Sequence, residues 1–221
     1  MDFYEENFKS SEVYKAVGEM TPQYLFSEEV AARIKNHLPE AKLIVLLRNP
    51  TDRLYSSYQN YKSKNKELSN LSFEDDLKKR PHLIEEGFYA KGLKTYMKLF
   101  DSKNIFIGFY EEVEKDPVAL WRRICTFLNV SNEFVSPYLT NKVNTAASKK
   151  YLANNKLYYY LSKIFKKLGL KSLAFYFEKK NFKDYDPMKP KTRKWLVEEV
   201  YYAANKELQD LLNVDLSHWN K

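Results

Sequence analysis

Between Lys42 and Tyr58 the chain spells a strand, a turn and a helix in immediate succession. Leu43 to Leu47 are five consecutive apolar residues. They are too few to cross a membrane and are bounded by a turn signal, the pattern of a strand buried on both faces in a parallel sheet. Asn49-Pro50 then opens a helix, a capping residue followed by proline at the first position, where its missing N–H costs nothing. Asp52 falls in the first turn, where a carboxylate suits the positive end of the helix dipole. Arg48 is thereby held at the carboxyl edge of a strand, and Ser56 lies about two turns into the helix that follows. Ligands of open α/β sheets gather beyond the carboxyl ends of the strands. A forked cation beside a hydroxyl there suits a phosphate, while a plainer reading leaves Arg48 capping its own turn.

As a whole, Arg48-Asn49-Pro50-x-x-Arg53-x-x-Ser56-x-Tyr58 closely resembles the 3′-phosphate-binding segment of the sulfotransferases that use 3′-phosphoadenosine 5′-phosphosulfate (PAPS). The resemblance implies that Arg48 and Ser56 grip the 3′-phosphate of the nucleotide. Gly18-Glu19-x-Thr21-Pro22-x-Tyr24-Leu25 also resembles that family, in its carbohydrate-acting and bacterial branches, where the segment lines the floor of the active site. Glu19 is then either a general base or a carboxylate that orders the loop, and only a base must reach the acceptor hydroxyl. Ile105 to Tyr110 form a second apolar run followed by Glu111-Glu112, and the resemblance puts Tyr110 beside the adenine. Lys149 and Lys150 fall where family members carry a late basic loop on the cofactor phosphates.

The fold implied is α/β, a three-layer P-loop-NTPase-like parallel sheet flanked by helices, in a single domain over residues 1–221. The activity implied is transfer of a sulfuryl group from PAPS to a hydroxyl or amine of a glycan or small-molecule acceptor, without a metal.

Elsewhere, Ala16 to Met20 are expected to form a short strand, ended by Thr21-Pro22 because a residue before proline avoids helix. Ser27 caps a helix with Glu28 and Glu29 in its first turn and Val30, Ile34 and Leu38 as its apolar stripe. The order strand, helix, strand makes residues 16–20 the expected parallel neighbour of 43–47 through a right-handed crossover. Residues 62–86 are rich in charge and are expected to be a surface excursion carrying a short helix. Tyr89, Leu93, Tyr96, Met97 and Phe100 share one face of a helix from Gly87 to Phe100. Asp116-Pro117 opens another helix, with Leu120, Ile124, Phe127 and Leu128 inward, ending near Asn129. A long helix after Pro190 buries Trp195, Leu196, Val200, Leu208, Leu211 and Leu212, and Leu216 and Trp219 close the chain. Lys189 stands before it where the family usually has an aspartate.

The 221 residues carry a net charge of +8, which points to acidic partners such as nucleotides, anionic glycans, membranes or nucleic acid. No sequence signature of specific nucleic-acid recognition is present. Basicity is concentrated: residues 149–183 hold ten lysines and one acid, Glu178, so this segment alone exceeds the net charge of the whole. Leu157, Leu161, Ile164, Phe165 and Leu168 give it an amphipathic helix. Either that helix packs on the core with lysine stems covering apolar surface, or it is a landing surface for an anionic polymer or a membrane. Cys125 is the single cysteine and reads as a small buried apolar residue. His37, His82 and His218 are isolated, and no cluster has metal-ligand spacing. With no signal peptide at Met1 and no span-length apolar run, the expectation is a soluble, cytoplasmic protein.

Family members usually begin with a strand and a Lys-x-Gly-Thr-type loop whose backbone amides and lysine hold the 5′-phosphosulfate. None of the five glycines (Gly18, Gly87, Gly92, Gly108 and Gly169) stands in such a loop. The expectation is an N-terminally incomplete domain, with apolar sheet edges exposed. The catalytic carboxylate that many members carry just after the first helix is then missing too. A non-catalytic module that binds nucleotide, or a polyanion through residues 149–183, is the alternative.

Overall fold

The computed structural model describes residues 13–64, 71–139, 150–152, 156–180, 182–184 and 187–221. Along the chain run α1 (Glu28–His37), β1 (Leu43–Leu47), α2 (Pro50–Lys64), α3 (Phe73–Lys79), α4 (His82–Glu85) and α5 (Tyr89–Leu99). Then come β2 (Ile105–Phe109), α6 (Tyr110–Lys115), α7 (Pro117–Leu128), β3 (Lys150–Leu152), α8 (Lys156–Lys167), α9 (Lys171–Lys180), β4 (Phe182–Asp184), α10 (Pro190–Trp195) and α11 (Tyr202–Leu212). Two compact units result, one of residues Met1–Arg48 and Tyr89–Lys142, the other of Asn49–Phe88 and Val143–Lys221.

In the first unit β1 pairs with β2, parallel, in a register running from Leu43 opposite Ile105 to Leu47 opposite Phe109. Residues 16–20, the expected neighbour of β1, form no strand and are exposed. Nor is β1 buried on both faces. Side chains alternate along a strand, and Leu43, Val45 and Leu47 point to the covered face. Ile44 and Leu46, on the other, are 40% and 50% exposed.

Ser27 caps α1 as its position predicts, its hydroxyl accepting from the Val30 amide at 3.2 Å. Ala31 of α1 packs on Tyr96 and Phe100, with Leu25, Ile34, Leu43 and Ile105 around them. Burial, with Tyr24 beside it, raises the phenol of Tyr96 above its ordinary value, and its hydroxyl donates to the Tyr24 carbonyl at 2.9 Å. Asp116 caps α7 through the Ala119 amide, 2.9 Å. Asn129 ends it in the left-handed region, φ 59°. Cys125 is fully buried in that helix, and burial pushes its thiol pKa up.

The core of the second unit brings Leu54 and Tyr58 of α2 against Phe73, Leu77, Leu83, Leu196 and Tyr201. The stretch expected as a surface excursion is therefore anchored in the core from residue 71 onward, with Phe73, Asp76, Leu77 and Leu83 buried and the residues between them exposed or half-buried. Phe73 and Leu77 sit one helical turn apart and turn inward together, while buried Asp76 is paired with Arg80 in a two-point ion pair. The local run of charge hid that apolar spacing.

The predicted long C-terminal helix is present but interrupted. Residues Leu196–Tyr201 form a π-helical segment between α10 and α11, and its wider turn lets Leu196, Val197 and Tyr201 all face inward. Trp195, expected inside, is the last residue before that segment and is 39% exposed. Lys189 makes no side-chain cap; its ammonium reaches Glu74 instead, at 3.1 Å. The basic segment also departs from a single helix: α8 and α9 form a hairpin that turns at Gly169, φ +75°.

Candidate functional site

The parallel register sets the geometry at one strand end. Leu47 and Phe109 are its last pair, so the residues that follow them, Arg48 and Tyr110, leave the sheet at the same edge. The guanidinium carbon of Arg48 lies 4.5 Å from the centroid of the Tyr110 ring, a cation–π contact. The Arg48 backbone is pinned as well, its carbonyl accepting from the hydroxyl of buried Tyr89 at 2.9 Å. On the other side Tyr110 opens α6, whose start is fastened by Glu112. That carboxylate accepts from the Phe109 amide at 2.9 Å and from Arg123. Among the described residues no carboxylate forms an ion pair with Arg48. The strand end thus presents a half-buried, unneutralised fork of donors laid on an aromatic face.

The rest of the motif belongs to the second unit. Asn49 caps α2, its side-chain oxygen accepting from the amides of Thr51 and Asp52 at 3.0 and 3.4 Å. Its amide nitrogen donates to the Trp219 carbonyl, 3.2 Å away. Asp52 receives Arg193 at 2.7 Å. Arg53 donates to Glu86 at 2.9 Å and to the Leu83 carbonyl at 2.7 Å. Tyr58 is buried and gives its hydroxyl to the Leu71 carbonyl at 2.8 Å. Ser56 lies half-buried in the second turn of α2, and its hydroxyl makes no hydrogen bond among the described residues.

The polar positions of the motif therefore divide by physics. Asn49, Arg53 and Tyr58 spend their hydrogen bonds on the fold. Arg48 keeps its charge and Ser56 its hydroxyl. Buried or half-buried polar groups normally find partners inside the protein, so a position that does not is one suited to a ligand.

Of the other predicted residues, Glu19 is exposed in a segment without regular structure and makes no ion pair or hydrogen bond among the described residues. Lys149 lies outside the described residues. Tyr89 was legible in sequence only as part of an apolar stripe. Nothing in the spacing announced that its hydroxyl would hold the carbonyl of Arg48.

Residues 3–191 match the family model described as "Sulfotransferase domain". Among curated proteins, the chain is 26% identical over 129 residues to the bifunctional heparan sulfate N-deacetylase/N-sulfotransferase 4 of Mus musculus, covering 52% of this chain and 15% of that protein. It is 29% identical over 119 residues to the heparan sulfate glucosamine 3-O-sulfotransferase 3B1 of Mus musculus, covering 51% and 30%. The match thus spans less than a third of either relative's length. The crystal structure of a sulfotransferase from Alicyclobacillus acidocaldarius superposes over 100% of this chain and 74% of that one, with a TM-score of 0.70 and 25% identity. With the family model spanning most of its length and the same fold in a solved relative, the chain belongs to the sulfotransferase domain family.

Proposed function

We propose that this chain is a PAPS-dependent sulfotransferase domain, moving a sulfuryl group to a hydroxyl or amine of a glycan or small-molecule acceptor. The observation that carries the reading is the unneutralised guanidinium of Arg48 lying on the ring of Tyr110. A cation that no carboxylate among the described residues neutralises fits a phosphate, and an aromatic ring beside it fits a purine, so the residues present suit a 3′-phosphorylated adenine nucleotide. PAPS, when bound, supplies the activated sulfuryl group.

Arg48 holds the 3′-phosphate in this reading, and the sequence word adds the hydroxyl of Ser56 to the same task. Tyr110 keeps the adenine side of the site flat and apolar while orienting the guanidinium. Tyr89 fixes the backbone from which Arg48 extends, so that the donor fork is set before the nucleotide arrives, which lowers the ordering cost of binding. Glu19 is the candidate general base, supported by its place in the Gly18-to-Leu25 word. The β1–β2 pair is read as part of a three-layer, P-loop-NTPase-like sheet, which the uncovered Ile44 and Leu46 support. A glycan acceptor is supported by the two curated relatives, both heparan sulfate sulfotransferases.

The test is transfer of labelled sulfate from PAPS to desulfated heparan and to a panel of small hydroxyl and amine acceptors. Label on one acceptor class, lost in Arg48→Ala, is the expected result. A folded chain that neither transfers sulfate nor retains the nucleotide overturns the reading.

A further inference from the structure

The helical hairpin of α8 and α9 has an apolar surface that the hairpin itself does not use. Its interior is filled by other residues: Phe165 stacks on Phe177 with ring centroids 5.4 Å apart, Tyr158 packs on the same ring, and Ser162 and Ala174 are buried. Tyr160, Ile164 and Leu168 follow at intervals of four residues, which places them along one helical face. That face points outward, the three being 60%, 52% and 65% exposed. By helical phase Lys163 and Lys167 run along one margin of this stripe. In α9, Leu173 and Tyr176 are exposed one turn apart, and the Lys180 ammonium lies 5.0 Å from the centroid of the Tyr176 ring. Seven lysines and one glutamate lie between residues 156 and 180, and that glutamate, Glu178, is already engaged by Lys166 at 3.5 Å.

A polyanionic glycan or nucleic acid would satisfy the lysines and leave the aliphatic stripe in water. A bilayer surface satisfies both. Lysines meet anionic headgroups, tyrosines sit at the headgroup level, and Ile164 and Leu168 reach the acyl boundary. We propose that the α8–α9 hairpin docks this protein on an anionic membrane surface, lying in the interface without crossing it. The proposal is independent of the sulfuryl-transfer reading and uses none of its residues.

The test is co-sedimentation of the full chain with vesicles of phosphatidylcholine alone and of equal parts phosphatidylcholine and phosphatidylglycerol. Binding is expected to the mixed vesicles and not to phosphatidylcholine. Lys163→Glu with Lys167→Glu lowers affinity by about tenfold or more, since each lysine near such a surface is worth about fivefold. Ile164→Ser with Leu168→Ser removes apolar area without touching charge and lowers affinity by about tenfold. Far-UV circular dichroism and the urea midpoint report whether either pair of changes has unfolded the chain. No binding to mixed vesicles overturns the proposal. So does salt-sensitive retention on heparin together with vesicle binding that the serine pair leaves unchanged, which would mark the hairpin as a polyanion surface instead.

Discussion

Arg48 and Tyr110 meet because the strands that carry them are parallel and in register, so that each is the first residue beyond its strand. Neither position alone defines a site. Together they put a cation and a π-face at one sheet edge, with the Tyr89 hydroxyl holding the arginine's backbone. Tyr110→Phe retains the ring and is expected to bind 3′-phosphoadenosine 5′-phosphate (PAP) within about twofold of wild type. Tyr110→Ala removes a contact of about 0.5–2 kcal/mol and weakens binding by about 2- to 30-fold. Equal affinities for all three proteins would show that the ring has no part in the site.

The two arginines of the motif have opposite fates. Arg53 is spent on Glu86 and the Leu83 carbonyl. Arg53→Ala leaves that carboxylate and carbonyl without their donor and is expected to cost about 1–3 kcal/mol of stability by urea unfolding. Arg48→Ala leaves no acceptor among the described residues without its donor and loses only the contact with the Tyr110 ring, so it is expected to cost less, about 0.5–1 kcal/mol. A reversal of that order would contradict the division of roles drawn above.

That division also marks how far the sequence could be read. The run Leu43 to Leu47, the Asn49-Pro50 start of α2 and the caps at Ser27 and Asp116 are local signals, and each produced the element it announced. Pairing is not local. The partner of β1 is β2, far along the chain, and residues 16–20 form no strand. Phe73, Leu77 and Leu83 were hidden among charges whose side chains mostly point the other way. The π-helical turn at Leu196–Tyr201 has no signature in composition, although Leu196 and Tyr201 both end in the buried cluster of the second unit. In the candidate site, the motif named Arg48 and Ser56. What the motif did not show is that Asn49, Arg53 and Tyr58 are engaged by the fold, because their partners are dictated by tertiary contacts.

Gly92 is a packing glycine. A Cβ built there would stand 2.2 Å from the carbonyl oxygen of Leu25, a backbone atom that cannot rotate aside. Alanine gains about 1 kcal/mol of helix propensity over glycine, against overpacking of about 1–3 kcal/mol in a tight site. Here the obstacle is backbone, so the upper end applies. Gly92→Ala is expected to destabilise the first unit by about 1–2 kcal/mol net in urea titration. Gly18→Ala meets nothing within 4 Å and serves as the neutral comparison.

The acid limb of the stability profile should carry the signature of Glu74. Partial burial alone would raise its pKa, but hydrogen bonds from Thr192 at 2.7 Å and Lys189 at 3.1 Å outweigh that and hold it below the ordinary value of 4.5. A carboxyl whose folded value is depressed contributes stability above its unfolded value and loses it as pH falls through the folded one. Wild type therefore loses this contribution as pH drops below about 4.5. Thr192→Val removes a hydrogen bond worth about 1 kcal/mol at neutral pH. Urea midpoints across this range should show the two proteins converging as the solution is acidified. A gap that stays constant down the acid limb would show that Glu74 is not the titrating partner.

The most direct test of the site is whether the chain distinguishes a 3′-phosphate. Calorimetric titration with PAP and with adenosine 5′-phosphate, which lacks that group, should show PAP bound more tightly by wild type. Charge-assisted hydrogen bonds of about 1.5–3 kcal/mol correspond to about 10- to 150-fold. Arg48→Ala should erase the difference while leaving adenosine 5′-phosphate affinity within about twofold. A wild-type chain that binds the two nucleotides equally, or an Arg48→Ala variant that keeps the full preference, would contradict the assignment of Arg48 as the 3′-phosphate anchor.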